Sequence, residues 1–213
     1  MELIDKAQLQ GMLKGKTPEQ QKVIKYFYID GGCGSKSTPE SEFDEIVKNK
    51  LNSLDTKKRA ISKIGLDEDD LKEIPPVFFH GFEDEGALST EGSDGRYRTS
   101  KYSATWLFFN NSQVFMYYII FDLTSDSKSE RTEEYFYKDI TNFSTSSKSI
   151  EVTTFTKGGG CSKKEQAHKK SIETSAFALI VPGDKFICST SGVENADQAV
   201  NAMKQKLREK KSN

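Results

Sequence analysis

The chain of 213 residues carries 31 basic and 32 acidic side chains, so its formal net charge is −1. A balance so close to neutral excludes a strong overall field that would attract nucleic acid or anionic membranes. Hydrophobic residues make up 35% of the chain and charged residues 30%, which is typical of a polar globular protein.

Membrane and secretory signals are missing from the sequence. No apolar run approaches the roughly 20 residues of a membrane-spanning helix, and the charged N-terminal stretch does not match a signal peptide. Cys33, Cys161 and Cys188 are odd in number and widely spaced, which argues against a disulfide framework. We therefore expect a cytoplasmic protein, and a redox role for Cys33 or Cys161 is left open.

The first 76 residues have the periodicity of helices. The stretch from Thr17 to Gln20 is typical of a helix start: Thr17 offers an N-capping hydroxyl, Pro18 suits the first turn, and the Gln20 side chain can bond back to the Thr17 backbone. The strongest apolar stripe recurs at spacings of three and four: Phe43, Ile46, Val47, Leu51 and Leu54. A further helix is predicted from Asp55 to Gly65. Pro75 and Pro76 halt the pattern, so we predict an N-terminal helical region over 1–76.

Two short motifs in this region do not pass a closer test. The run GGCGSKS resembles a phosphate-binding loop, which requires one glycine directly before the lysine and another five positions before that glycine. At these two positions the chain has Ser35 and Asp30. The acidic run 67–70 lacks the alternating ligands and closing glutamate of a calcium loop. Neither motif predicts a nucleotide or metal site.

From Val77 onward the period changes to that of strands. Seven antiparallel strands are predicted, at 77–82, 97–109, 114–123, 132–140, 149–156, 172–181 and 185–189. The stretch from Phe115 to Leu123 is apolar on both faces, so the N-terminal helices are expected to cover the outside of the sheet. The chain ends in a predicted amphipathic helix that starts near Asn195 and carries Val200 and Leu207 on its apolar face.

This order of strands and a final helix resembles a pleckstrin-homology-like (PH-like) domain. Four runs are similar to the bacterial members of this class: WLFFNNSQVFMYYIIFDL, EEYFYKDITNFS, SAFALIVPGDKFICST and NADQAVNAMKQKL. In those members a strand ends in an element that leads into a second sheet, and the corresponding element here is Tyr137-Lys138-Asp139-Ile140. The resemblance spans about Val77 to Lys211 and implies that residues 77–213 form a seven-stranded antiparallel barrel closed by the C-terminal helix. Residues 1–76 resemble no family, and the helices predicted there make the chain an α+β protein. The resemblance also implies a scaffold for binding.

The lysine-rich loop 157–170 is the candidate binding site: Lys157, Lys163, Lys164, Lys169 and Lys170. Such a loop either remains solvated or meets an anionic membrane, nucleic acid or an acidic protein patch. Nucleic acid is disfavoured, because no aromatic residues interleave with the lysines. The phosphoinositide loop of eukaryotic relatives is not carried over, since Glu83, Asp84 and Glu85 make the matching loop acidic.

Signs of catalysis are weak. His80 and His168 lie far apart, and Cys161 with His168 lacks a second pair for zinc. No local signature matches a nucleophile, histidine and acid triad. We therefore expect no enzyme activity, cofactor or metal. The predicted function is a non-catalytic interaction or scaffold module that binds a protein or peptide, with peripheral membrane binding through 157–170 as the alternative.

Overall fold

The computed structural model describes residues 2–4, 6–30, 38–67, 75–157, 165–193, 197–198, 200–201, 204–205 and 208–209. None of the helices in these ranges is long and apolar enough to cross a bilayer.

The N-terminal part alternates two short strands with helices. Its elements are β1 (Glu2–Ile4), α1 (Lys6–Leu13), α2 (Pro18–Phe27), β2 (Tyr28–Asp30), α3 (Glu40–Ser53) and α4 (Thr56–Ile64). The predicted capping box is confirmed, because Gln20 N donates to Thr17 Oγ1 and Thr17 N donates to Gln20 Oε1. The structure differs from the predicted helical region in one respect: α2 ends at Phe27, and the next residues form the strand β2, which pairs in parallel with β1.

A four-stranded antiparallel sheet forms the centre of the molecule. Its strands are β3 (Val77–Glu83), β6 (Lys101–Phe109), β7 (Gln113–Asp122) and β8 (Lys128–Phe136), in the order β3-β6-β7-β8. Between β3 and β6 the chain makes the small hairpin of β4 (Ser89–Glu91) and β5 (Tyr97–Thr99). The strand predicted over 97–109 is broken at Ser100, whose backbone N donates to Leu88 O and whose carbonyl accepts from Leu123 N.

The second sheet contains β9 (Asn142–Lys157), β10 (Glu165–Val181) and β11 (Asp184–Ser189), in the order β11-β10-β9. β11 pairs with β10 only from Ala176 to Val181. Further out, β9 and β10 continue as a two-stranded ladder from Ser175↔Ser147 to Glu165↔Lys157. We call this extension the β9–β10 arm. It is about 35 Å long at the usual rise of a strand.

Both faces of the four-stranded sheet are covered. On the inner face, Phe79, Leu107 and Met116 pack against Phe177 and Phe186 of the second sheet. On the outer face, the side chains of α3 and α4 lie against Phe108, Tyr117 and Ile119, with Ala60 among the contacts. The expected docking of the N-terminal helices on the sheet is therefore confirmed. The domain boundary after residue 76 stays a prediction.

The predicted seven-stranded barrel closed by a C-terminal helix is wrong. The strands form separate sheets, and none of the described sheets closes. β8 ends at Phe136, four residues before the predicted end of that strand, because residues Tyr137–Asp139 form a 3₁₀ turn. Tyr137 fixes this turn by donating its hydroxyl to Asn110 O at 2.7 Å. The chain then enters β9 in another sheet, so β8 and β9 share no ladder.

The C-terminal region contributes strands β9 to β11 to the fold, in place of a closing helix. The described residues between 197 and 209 do have helical backbone. Among them Val200 is buried in the core between the two sheets. Because those sheets are open, this segment has no barrel end to close.

Candidate protein-binding surface

The strand β8 lies at the end of the four-stranded sheet, and β7 is its pairing partner among the described strands. Backbone bonds flank the β7–β8 ladder on both sides: Asp122 N donates to Ser127 O, and Tyr137 N donates to Ser112 O. Both pairs follow the register of the ladder. In antiparallel sheets, hydrogen-bonded pairs alternate with non-bonded pairs. The residues of β8 that direct their N–H and C=O groups to the free edge are therefore the even-numbered ones: Lys128, Glu130, Thr132, Glu134 and Phe136.

Two charged side chains of β8 already have partners on the faces of the sheet. The Glu130 side chain is 7% exposed and forms ion pairs with Arg59 and Lys63 of α4. Burial works to raise the pKa of Glu130, but the hydrogen bonds from Lys63 and Arg59 prevail and the pKa is lowered. On the other face, the Arg131 guanidinium lies over the Tyr118 ring, 4.9 Å from its centroid. An added strand would therefore not leave these charges unpaired.

A cleft adjoins the C-terminal end of β8. It has a volume of about 360 Å³ and is lined by Glu134, Tyr135, Phe136, Asp139, Val181 and Pro182. We call it the Phe136 cleft. The Phe136 side chain is 50% exposed, which is unusual for a large aromatic residue. The Lys138 ammonium lies over its ring, 5.6 Å from the centroid.

Tyr135, which lines the cleft, directs its side chain to the inner face of the sheet, where it bonds to two carboxylates. The Tyr135 hydroxyl lies 2.5 Å from Glu133 Oε2 and 2.9 Å from Asp184 Oδ2. Burial, together with the two carboxylates, raises the pKa of Tyr135 far above its usual value, so the hydroxyl keeps its proton. A hydroxyl has one proton to donate, so only one of the two carboxylates can receive it at a time. The other carboxylate faces an oxygen without a bridging proton.

A second cleft lies at the seam between β3 and the second sheet. It has a volume of about 260 Å³, and its lining includes Glu83, Tyr118, Ile187 and Cys188. Tyr118 donates its hydroxyl to Glu83 Oε1 at 2.8 Å, so this acid is already engaged. Burial raises the pKa of the Cys188 thiol to about 12. The thiol is therefore protonated at neutral pH and is a poor nucleophile.

The predicted lysine site is only partly described. Lys163 and Lys164 lie outside the described residues, as do Cys33 and Cys161. The backbone register places the other three lysines on the β9–β10 arm, with Lys157 opposite Glu165, Lys169 opposite Thr153 and Lys170 opposite Val152. All three stand beyond the end of β11.

His80, one of the two histidines considered for catalysis, is half-buried. Its ring lies 5.6 Å from that of Phe78, and its carbonyl accepts a hydrogen bond from Gly192 N. Burial lowers the pKa of His80, so the ring is neutral at pH 7. Within the described ranges, no three His, Cys, Asp or Glu side chains are grouped to hold a metal ion.

Sequence reasoning missed the Phe136 cleft. The alternation in EEYFYKD places Phe136 and Tyr135 on opposite faces of a strand, but it does not say which face is covered. Comparison with known proteins adds nothing further: no family model, curated protein or solved structure matches the chain. The resemblance to PH-like domains stays a prediction.

Proposed function

We propose that the protein is a non-catalytic interaction module that binds an extended segment of a partner protein along the free edge of β8. The observation that carries this proposal is the alternation of β8, which leaves the N–H and C=O groups of its five even-numbered residues facing away from β7. A segment that pairs with them adds one more strand to the sheet, a recurrent mode of peptide recognition.

The main objection is that many proteins protect edge strands from pairing by means of charged residues. On β8, Glu130 and Arg131 point to opposite faces and are held there by α4 and by Tyr118. They lie above and below the backbone edge. Thr132, between Arg131 and Glu133, is exposed and uncharged, so the middle of the edge is accessible.

We further propose that this binding takes place in the cytoplasm. The support is the buried free thiol of Cys188 together with an odd number of cysteines, a usage typical of a reducing compartment.

The test is selection of a random nonapeptide display library on the wild-type protein, followed by affinity measurement on the enriched peptides by fluorescence anisotropy. Thr132→Pro removes one outward N–H and places a ring at the edge, without removing a bond to β7. We expect roughly a tenfold loss of affinity from the lost hydrogen bond and the steric block. Thr132→Val, which keeps the N–H, should bind within about twofold of the wild type.

Two results would overturn the proposal: no peptide is enriched, or the enriched peptides bind Thr132→Pro as well as they bind the wild type. Circular dichroism and thermal melting check that each variant is folded. If Thr132→Pro does not fold, Glu134→Pro replaces it with Glu134→Gln as its control, since Glu134 also directs its N–H to the free edge.

A second candidate function is peripheral membrane binding through the lysines of 157–170. The supporting observation is the register that places Lys157, Lys169 and Lys170 on the part of the β9–β10 arm beyond β11. Co-sedimentation with phosphatidylserine vesicles, compared with phosphatidylcholine vesicles at low and physiological salt, tests it. Binding should be selective, salt-sensitive and absent in a variant with Lys163, Lys164, Lys169 and Lys170 changed to Glu. Equal sedimentation of the two proteins would refute it.

A further inference from the structure

We infer that the Phe136 cleft accepts an arginine or lysine side chain of the bound segment, so that the partner of this module is a basic extended peptide. The inference rests on the proposed strand-binding function and names the chemistry of its partner. It is carried by the geometry of the β8 edge and by the distribution of charge around Phe136.

Glu134 and Phe136 are successive outward-facing residues of β8. Their side chains lie on the same face of the sheet, two positions apart. A residue of the added strand opposite Glu134 is therefore its direct cross-strand neighbour and the diagonal neighbour of Phe136. One long side chain at that position reaches both the Glu134 carboxylate and the exposed face of the Phe136 ring.

Negative charge exceeds positive charge around the cleft. Two carboxylates line it, Glu134 and Asp139, and the nearby cation is Lys138 over the Phe136 ring. Within the described ranges, no lysine or arginine forms an ion pair with Glu134 or Asp139. An additional cation would therefore be favourable here.

The ring of Phe136 is already used as a platform for a cation, because the Lys138 ammonium lies over it at 5.6 Å. Half of the side chain is nevertheless exposed. Val181 and Pro182 form an apolar wall of the cleft, against which the methylene groups of a long basic side chain can pack. A basic residue therefore fits the cleft with both its stem and its charged end, whereas an acidic residue would meet like charge.

The experiment uses an enriched peptide from the selection above and replaces its basic residue with a neutral isostere, citrulline for arginine. An ion pair and a cation–π contact at a partly exposed site together predict roughly a fivefold to tenfold weaker binding of the citrulline peptide. In Glu134→Gln/Asp139→Asn the two peptides should bind within about twofold of each other. Glu45→Gln/Glu85→Gln, which changes the net charge equally at exposed positions elsewhere, should keep the wild-type ratio.

The outcomes separate the two proposals. If no peptide is enriched, strand binding at β8 fails and this inference fails with it. If peptides bind at β8 but carry no basic residue, or if the arginine and citrulline peptides bind wild type equally, only the inference about the cleft is overturned. Removing the competing internal cation by Lys138→Gln should tighten binding of the arginine peptide and leave the citrulline peptide unchanged; a loss of affinity for the arginine peptide would contradict the inference.

Discussion

A buried arginine is central to the contact between α3 and the β4–β5 hairpin, which also includes a hydrogen bond from Ser93 N to Glu40 Oε1 at 2.7 Å. The Arg98 side chain is 3% exposed and bonds to Asp44 of α3 through Nε at 2.7 Å and through NH2 at 2.8 Å. The same guanidinium bonds to both carboxylate oxygens of Asp94, at 2.9 and 2.7 Å. We predict that Arg98→Met, which keeps the apolar stem but removes the charge, destabilises the protein by weakening the contact between the hairpin and the helix.

The expected magnitude follows from the burial of the three partners. Removing one member of a buried ion pair usually lowers the free energy of unfolding by about 3–5 kcal/mol. Asp44 and Asp94 are 44% and 37% exposed, so water can solvate them once Arg98 is gone. We therefore expect about 3 kcal/mol, at the low end of that range. For a chain of this size, this loss corresponds to a fall in Tm of about 6–12 °C.

The pH dependence provides a second readout of the same contact. The hydrogen bonds from the Arg98 side chain and the Arg96 backbone hold the pKa of Asp94 well below its usual value. Because the folded-state pKa is depressed, this stabilisation is present above about pH 4 and is lost as the pH falls below it. In Arg98→Met the part due to Arg98 should be missing, so the variant loses less stability than the wild type between about pH 4 and pH 2.

Urea unfolding followed by circular dichroism measures both effects, with Arg98→Lys as the control. The lysine keeps the positive charge but not the planar fork, so it should recover only part of the lost stability. A fall of less than about 1 kcal/mol for Arg98→Met would refute the reasoning, because that is the range of a solvent-exposed ion pair. An unchanged acid profile would refute the role assigned to Asp94.

Two other contacts give simpler predictions. A Cβ at Gly81 would lie 2.1 Å from Ser189 Oγ and 2.8 Å from Ser189 Cβ. Gly81→Ala should therefore lower the free energy of unfolding by about 2 kcal/mol, because it forces apart β3 and β11, and a second substitution, Ser189→Gly, should restore part of the loss. Equal melting temperatures of Gly81→Ala and the wild type would contradict this. Trp106 Nε1 donates to Thr56 Oγ1 at 3.0 Å. Thr56→Val should therefore cost about 1–2 kcal/mol and Thr56→Ser much less, as measured by unfolding followed through the fluorescence of the single tryptophan; equal losses would contradict it.

The sequence could predict those parts of the fold that depend on near neighbours. The Thr17–Gln20 capping box involves residues three apart, and it forms as expected. The apolar faces of β7 predicted a cover on both sides, and the cover is present. In both cases the controlling contacts are local or concern only the burial of apolar surface.

Closure of the sheets could not be predicted in this way. The turn that follows β8 is bound to the rest of the sheet by the hydrogen bond from Tyr137 to Asn110, 27 positions away in the chain, which the local pattern does not show. The candidate site has the same difficulty, because the free edge of β8 follows from strand order. The lysine-rich loop was visible in the sequence as composition, whereas Phe136 gave no signal until the cover of each face was known.

The arrangement of layers is the reason why we propose an edge, and not a face, as the binding surface. The helices cover one face of the four-stranded sheet and the second sheet covers the other. At the opposite end of this sheet, the His80 carbonyl of β3 accepts a hydrogen bond from Gly192 N. In the second sheet, the end strand β9 is in contact with β4. Within the described part of the chain, β8 remains as the strand whose outward N–H and C=O groups, neighbouring exposed aromatic ring and excess of carboxylates occur together. A basic extended segment can engage all three.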